Sequence, residues 1–186
     1  MPQQSGVRSQ PASAPGALEA VQDFCNSLHV ERGTDTLADP ATAPGRLRDI
    51  GLPAEDGIRD EELAELVRLR TALRDLVHTG SDTGARARAV ECVAEVAAGL
   101  RYALRADGAG RLGFEPVGTS AERITGLLLS RVHDAQRDGT WERLKICRSD
   151  ACAWVFYDHS RNHSAVWCAM GVCGNRQKVS RYRGKR

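Results

Sequence analysis

The reading of this chain turns on residues 143–186, RLKICRSDACAWVFYDHSRNHSAVWCAMGVCGNRQKVSRYRGKR. Cys147, Cys152, Cys168 and Cys173 fall in two pairs, with four residues inside each pair and fifteen between the pairs. A pair at this spacing closes a short loop with both sulfurs turned inward. Two such loops facing each other make a tetrahedral thiolate pocket of the kind Zn²⁺ prefers. Four sulfurs leave no open coordination position, so the expected role is scaffold and not activation of a metal-bound water. The same ligand type suits an iron–sulfur cluster held by four cysteines, and sequence alone leaves that second metal open. Metal binding, worth on the order of 10–16 kcal/mol in small zinc peptides, replaces the large core that so short a unit lacks.

Between the pairs, Ala153 to Tyr157 alternates as a strand, which puts Trp154 and Phe156 on one face and Val155 and Tyr157 on the other. One face is expected to pack with Trp167. Asp158, His159 and Ser160 have the composition of a hydrolase triad, but neighbours in a strand or turn project differently and cannot form the relay. Asp158 and Ser160 are read as bracing the turn into the second pair. His159 and His163 lie close by, but four sulfurs already satisfy the metal. After Cys173, the segment Gly174 to Tyr182 reads as a short helix with a weak stripe, Val179 and Tyr182, and a basic surface. If Cys173 sits in its first turn, the helix dipole favours the thiolate there.

Outward from this module the charge changes sign. Residues 143–186 hold ten Lys or Arg against Asp150 and Asp158, a formal +8. Residues 1–142 are left with sixteen basic and twenty-two acidic side chains, a formal −6. A compact basic unit points to a polyanion as partner. No stretch approaches the roughly 20 apolar residues of a membrane span, and no apolar secretory run opens the chain. No membrane association and a cytoplasmic location are therefore expected, where thiols stay reduced and paired cysteines favour metal over disulfide.

The N-terminal part reads as α-rich with one hairpin, so the fold class is α+β and mostly α. Residues 1–16 lack large apolar side chains and are expected to be a disordered tail. Leu18, Val21, Phe24, Cys25 and Leu28 recur at helical spacing, with Gly33 as the stop. Thr34 to Gly57 reads as loop with one helical turn near Leu47 and Ile50. Asp60 caps the clearest helix, whose core face is Leu63, Leu66, Leu69, Leu73, Leu76 and Val77, ending near His78 with Gly80 beyond. A linker, Ser81 to Gly84, leads to a helix marked by Ala89, Cys92, Val93, Val96, Ala97 and Leu100. The period then changes to two: Tyr102, Leu104 and Ala106, then Leu112 and Phe114, flank Asp107-Gly108-Ala109-Gly110 as a β-hairpin. Thr119 and Glu122 form a capping box for a helix carrying Ile124, Leu127, Leu128, Val132 and Ala135 to about Arg137, and Gly139 ends it. Cys25 and Cys92 lie on apolar helical faces as small core residues. No phosphate loop, His–Glu metal pattern or nucleophile elbow is present, so no catalytic residue is assigned and an enzyme is not expected.

Residues 143–186, with Cys147, Cys152, Trp154, Phe156, Asp158, Ser160, Arg161, Asn162, Trp167, Cys168, Met170, Cys173-Gly174-Asn175-Arg176, Lys178, Tyr182 and Arg183, resemble the CGNR zinc finger. That family joins its finger to an N-terminal helical domain, the ABATE domain, described as a putative stress-induced transcription regulator. Asp23-Phe24-Cys25-Asn26-Ser27-Leu28 resembles the opening motif of that domain, and Gly51-Leu52 its Gly-Leu landmark. Arg46-Leu47 stands where relatives carry Trp-Leu. Beyond the tail that composition assigns to 1–16, the resemblance implies an ABATE-like domain at 17–139 and a CGNR finger at 143–186. It also implies a bacterial, zinc-containing, DNA-binding transcription regulator.

The charge pattern agrees with that implication. Asn175, Arg176, Gln177, Lys178, Arg181 and Arg183, together with Arg161, are the candidate nucleic-acid contacts, and Asn175, Arg176 or Gln177 would face bases. Arg161 and Asn162 serve equally well as loop supports. The N-terminal helices are expected to sense a small-molecule effector or to form a homodimer. Two readings from other classes compete: a protein-interaction module docking through Trp154 and Tyr157, and an RNA-binding protein stacking bases on Trp or Tyr.

Overall fold

The computed structural model describes residues 13–77, 82–176 and 178. The fold is α+β and mostly helical, with three two-stranded antiparallel ribbons among the described residues. In chain order the elements are α1 (Leu18–Cys25), β1 (Leu28–His29), β2 (Thr34–Asp35), α2 (Ala43–Asp49), α3 (Asp60–Val77) and α4 (Thr83–Ala98). There follow β3 (Arg101–Ala106), β4 (Leu112–Val117), α5 (Ser120–Arg137), β5 (Leu144–Ile146) and β6 (Val155–Tyr157).

The core forms where the apolar stripes of α1, α3 and α5 meet. Val21, Phe24, Cys25, Leu47, Leu66, Leu69, Leu73, Ile124 and Leu128 are fully enclosed. α3 and α5 carry their apolar residues at three- and four-residue intervals, so each presents one continuous face inward. The Thr119–Glu122 capping box is present in full, and Asp82 caps α4 through the Ala85 N–H. Gly139, at φ 76°, turns the chain after α5.

Several sequence expectations are corrected. α1 stops at Cys25, and Leu28 belongs to β1, paired with Asp35; Gly33 ends the 3-10 turn Val30–Arg32. Asp60 is the first residue of α3 and not its cap. The expected helix end at His78–Gly80 and the start of the Ser81–Gly84 linker lie outside the described residues, but α4 already begins at Thr83, so Gly84 is helical. Ala89 alone among the described residues of α4 is fully buried. The tail expected for 1–16 lies outside the described residues up to position 12. Residues 13–16 pack against the body: Ala14 is buried, its N–H donates to Gln22 Oε1 at 2.6 Å, and Ser13 O lies 3.0 Å from His159 Nε2.

The cysteine-bearing module is joined to the helices by more than chain connectivity. Leu144, Val155 and Tyr157 belong to the helical core, while Phe156 faces the cysteines, so the alternation of β6 divides it between two cores. Asn26 closes a reciprocal pair with Val155, donating from Nδ2 to its carbonyl and accepting its N–H on Oδ1, both at 2.8 Å. Arg74 of α3 donates to Cys25 O at 2.8 Å and to Ala153 O at 2.7 Å. Arg70, one turn earlier, forms a two-pronged ion pair with Asp35, both contacts 2.6 Å, and a 3.0 Å hydrogen bond to Ser27 Oγ.

Candidate metal centre and nucleic-acid interface

Each cysteine loop is shaped by a small set of backbone bonds. In the first, Ser149 O accepts the N–H groups of both Cys152 and Ala153 at 2.8 Å, and Ala153 takes φ 46° to reverse the chain. Cys147 N–H donates to Trp154 O at 2.8 Å, which closes the loop. In the second, Ala169 O accepts from Val172, Cys173 and Gly174 at 3.2, 2.9 and 3.4 Å, producing the wide π-helical turn Met170–Gly174. Such turns accommodate one extra residue and recur at functional sites. Gly174 packs closely there: a Cβ would lie 2.5 Å from Met170 Sδ and 3.3 Å from Trp167, so a larger residue would displace the Met170 side chain.

These loops bring Cys147, Cys152, Cys168 and Cys173 together with all four sulfurs within 4.8 Å of one another. Cys168 Sγ lies 3.6 Å from Cys152 Sγ and 3.7 Å from Cys173 Sγ. A tetrahedron with Zn–S bonds of about 2.3 Å has edges of about 3.8 Å, so the donor set fits Zn²⁺ by number, chemistry and spacing. Among the described residues no His or carboxylate belongs to the group. The thiols perturb one another. Hydrogen bonding from Cys168 lowers Cys147 to about 5, while burial first, and the neighbouring Cys147 thiolate second, push Cys173 up to about 12. Cys168 is pushed up as well, chiefly through its hydrogen bond to Cys147. A bound divalent cation would supply the charge that lets Cys168 and Cys173 ionise beside Cys147.

Asp158 braces the turn between the pairs. Its Oδ2 accepts from Lys145 Nζ at 2.6 Å and from Ala165 N at 3.0 Å, and its Oδ1 accepts from Ser160 N at 2.9 Å. Burial alone would raise its pKa; the Lys145 ammonium and the donated hydrogen bonds outweigh it and hold the carboxyl far below the usual range. Lys145 also donates to the carbonyls of His163 and Ala165, so one charge pair ties together β5, the end of β6 and the approach to the second cysteine pair.

Of the expected nucleic-acid residues, Asn175, Arg176 and Lys178 are helical and exposed, continuing directly from the π-turn. The helical segment therefore begins at Met170 and not at Gly174, which places Cys173 inside it. Arg161 is exposed on the loop after β6. Gln177, Arg181 and Arg183, and the Val179–Tyr182 stripe, lie outside the described residues. Arg176 forms a 2.7 Å ion pair with Glu31, in the turn between β1 and β2, and His29 packs against Trp154 with ring centroids 5.0 Å apart. Trp154 and Tyr157 do not form the docking surface the interaction-module reading needs: Tyr157 is buried in the main core and Trp154 is partly covered by His29.

The sequence marks Asn26 only as part of the Asp23–Leu28 motif and gives no role to Arg70 or Arg74, although all three tie elements together. A signal was available for the arginines, since both fall on the α3 stripe, Arg70 four residues after Leu66 and Arg74 three before Val77. A cation on an apolar stripe announces a buried polar partner.

Fold and site together define a helical protein carrying a C-terminal zinc finger of the four-cysteine type. Residues 143–186 match the CGNR zinc finger, and residues 18–138 match the ABATE family, described as "Putative stress-induced transcription regulator". The chain belongs to the ABATE family, with a CGNR zinc finger at its C-terminal end, and its cofactor is Zn²⁺. No curated protein sequence matches the chain. Among the described residues no helix is long and apolar enough to cross a membrane.

Proposed function

We propose that the protein is a zinc-dependent, DNA-binding transcription regulator. Cys147, Cys152, Cys168 and Cys173 hold the metal, and the turn that follows presents Asn175, Arg176, Gln177 and Lys178 to DNA, with Arg161, Arg181 and Arg183 on the phosphates. The observation that carries this reading is the continuity between the sulfur cluster and the basic helical turn: Cys173 lies inside the helical segment that continues through Asn175 to Arg176, and Lys178 is helical too. Zn²⁺, when bound, supplies the crosslink and no chemistry on a substrate. The chain is divided into an ABATE-like part at 17–139 and the finger at 143–186, acting in the bacterial cytoplasm, where the thiols stay reduced. The N-terminal part senses an effector or dimerises.

The test measures binding of the zinc-loaded protein to mixed DNA fragments across salt concentration, with a metal-stripped sample alongside. Zinc-dependent affinity whose logarithm falls linearly with log salt is the expected result. Arg176→Ala and Lys178→Ala should weaken binding with zinc retained, and Cys168→Ser should abolish it. Equal DNA affinity in the metal-free protein, or none in the intact zinc protein, overturns the reading; preference for single-stranded RNA replaces it with the RNA-binding alternative.

A further inference from the structure

The strongest anomaly outside the finger is the β3–β4 hairpin. Its register pairs Tyr102 with Pro116, Leu104 with Phe114 and Ala106 with Leu112, so one face is apolar from base to turn. The base of that face is used. Tyr102 donates to Gly126 O at 3.2 Å, and Pro116 sits so close to α5 that a Cβ on Gly126 would lie 2.5 Å from its ring. The outer part is not: Phe114 is 74% exposed, Leu112 70% and Leu104 57%. Beside it runs an open groove of about 600 Å³ between the hairpin, α4 and α5, lined by Ala97, Leu100, Tyr102, Phe114, Leu129 and His133 among others. The opposite face is polar and carries the Arg105–Glu115 ion pair, so the apolar side is a patterned choice and not a uniformly greasy strand pair.

We propose that this face is the contact with a second copy of the chain, the two hairpins packing about a two-fold axis with the turn end of each over the groove of the other. This specifies where the dimerisation named above takes place and rests on that reading. Three observations favour a second copy over another occupant. The exposed parts of Leu104, Leu112, Phe114 and Tyr102 amount to roughly 400–500 Å² of apolar surface, at the size where a patch marks an interaction site. Doubled by symmetry, with a polar rim, that reaches about 1,000 Å², the floor for a specific interface. Charge adds to this: Arg111 stands at the turn and Asp134 on the α5 wall of the groove, opposite signs that meet twice when the turn end of each hairpin lies over the groove of the other. Finally, β3 and β4 pair only with each other among the described residues, which leaves the ribbon's outer edges open to a partner of the same kind.

The test is sedimentation of the zinc-loaded full chain, without DNA, across the accessible concentration range. A reversible dimer is expected. Phe114→Glu should raise the dimer dissociation constant by about 100-fold or more, since two carboxylates enter the contact, with thermal unfolding of the diluted protein little changed because Phe114 is largely exposed. Leu112→Lys provides a second variant if Phe114→Glu folds poorly. Arg105→Ala, on the polar face, should leave the dimer intact. A wild-type monomer at every concentration overturns the proposal, as does a dimer that Phe114→Glu and Leu112→Lys leave unaffected. A monomer retaining a copurified apolar small molecule in native mass spectrometry also overturns it, making the groove a ligand site. Loss of DNA binding in the wild type would count against the regulator reading while leaving the sedimentation result standing.

Discussion

The helical body and the finger solve the same problem by different means. In the body, the helices enclose a set of fully buried apolar residues running from Val21 to Leu128, and removal of water from that surface drives folding. Among the described residues the cysteine cluster has only Phe156 as a large buried apolar side chain of its own; Trp154 and Trp167 are half covered. What it has instead is four sulfurs at one point and the Lys145–Asp158 pair. The finger is thus a unit whose order is conditional on a metal, grafted by Asn26 and Arg74 onto one whose order is not.

Removing the metal should expose this difference most strongly. Chelation at neutral pH forfeits on the order of 10 kcal/mol of binding free energy. Hydrogen exchange should then show protection lost over 147–176 and kept in α3 and α5. A core truncation attacks the other side: Leu66→Ala, at a fully enclosed position, should cost about 3–4 kcal/mol in denaturant unfolding with zinc stoichiometry unchanged. Uniform loss of protection after chelation, or zinc release by Leu66→Ala, would show that the two regions form a single cooperative unit.

Asp158→Asn sharpens the contrast within the finger. It leaves the partly buried Lys145 ammonium without its charge partner and should cost about 3 kcal/mol, read as a lower unfolding midpoint of the zinc-loaded protein. The pH dependence follows the same group. Because its folded pKa lies below the unfolded value near 3.8, its contribution is fully present above about pH 4–5 and is lost as pH falls below that toward the depressed folded value. The Asn variant should therefore show a shallower acid dependence in that window than the wild type. Asn26→Ala removes two buried hydrogen bonds between the regions and should cost about 2 kcal/mol, with faster exchange at Val155 N–H while the sulfur cluster keeps its zinc.

Much of this was legible without a structure. The cysteine spacing announced the sulfur cluster because four thiolates in two loops have few other stable arrangements, and the Thr119–Glu122 box, the α3 stripe and the period-two hairpin are local patterns that persist after folding. The misreadings have local causes too. Leu28 continued the helical period of α1 yet pairs with Asp35, since the chain must turn after Cys25 for Asp35 to reach Arg70. The helical turn began at Met170 and not Gly174 because Ala169 O gathers three N–H groups, a shared-acceptor geometry that residue propensities do not encode.

By itself, then, the sequence determined the metal-binding residue types, the helical stripes, the hairpin and the segregation of charge, all of which depend on residues near one another along the chain. Tertiary structure alone decided that β6 serves two cores, that Arg74 and Asn26 clasp the finger from far upstream in the chain, that Glu31 engages Arg176, and that the outer part of the apolar hairpin face is left exposed by the rest of the chain's described residues. Those facts depend on which surfaces meet in space, and packing of distant segments leaves no periodic mark in the chain.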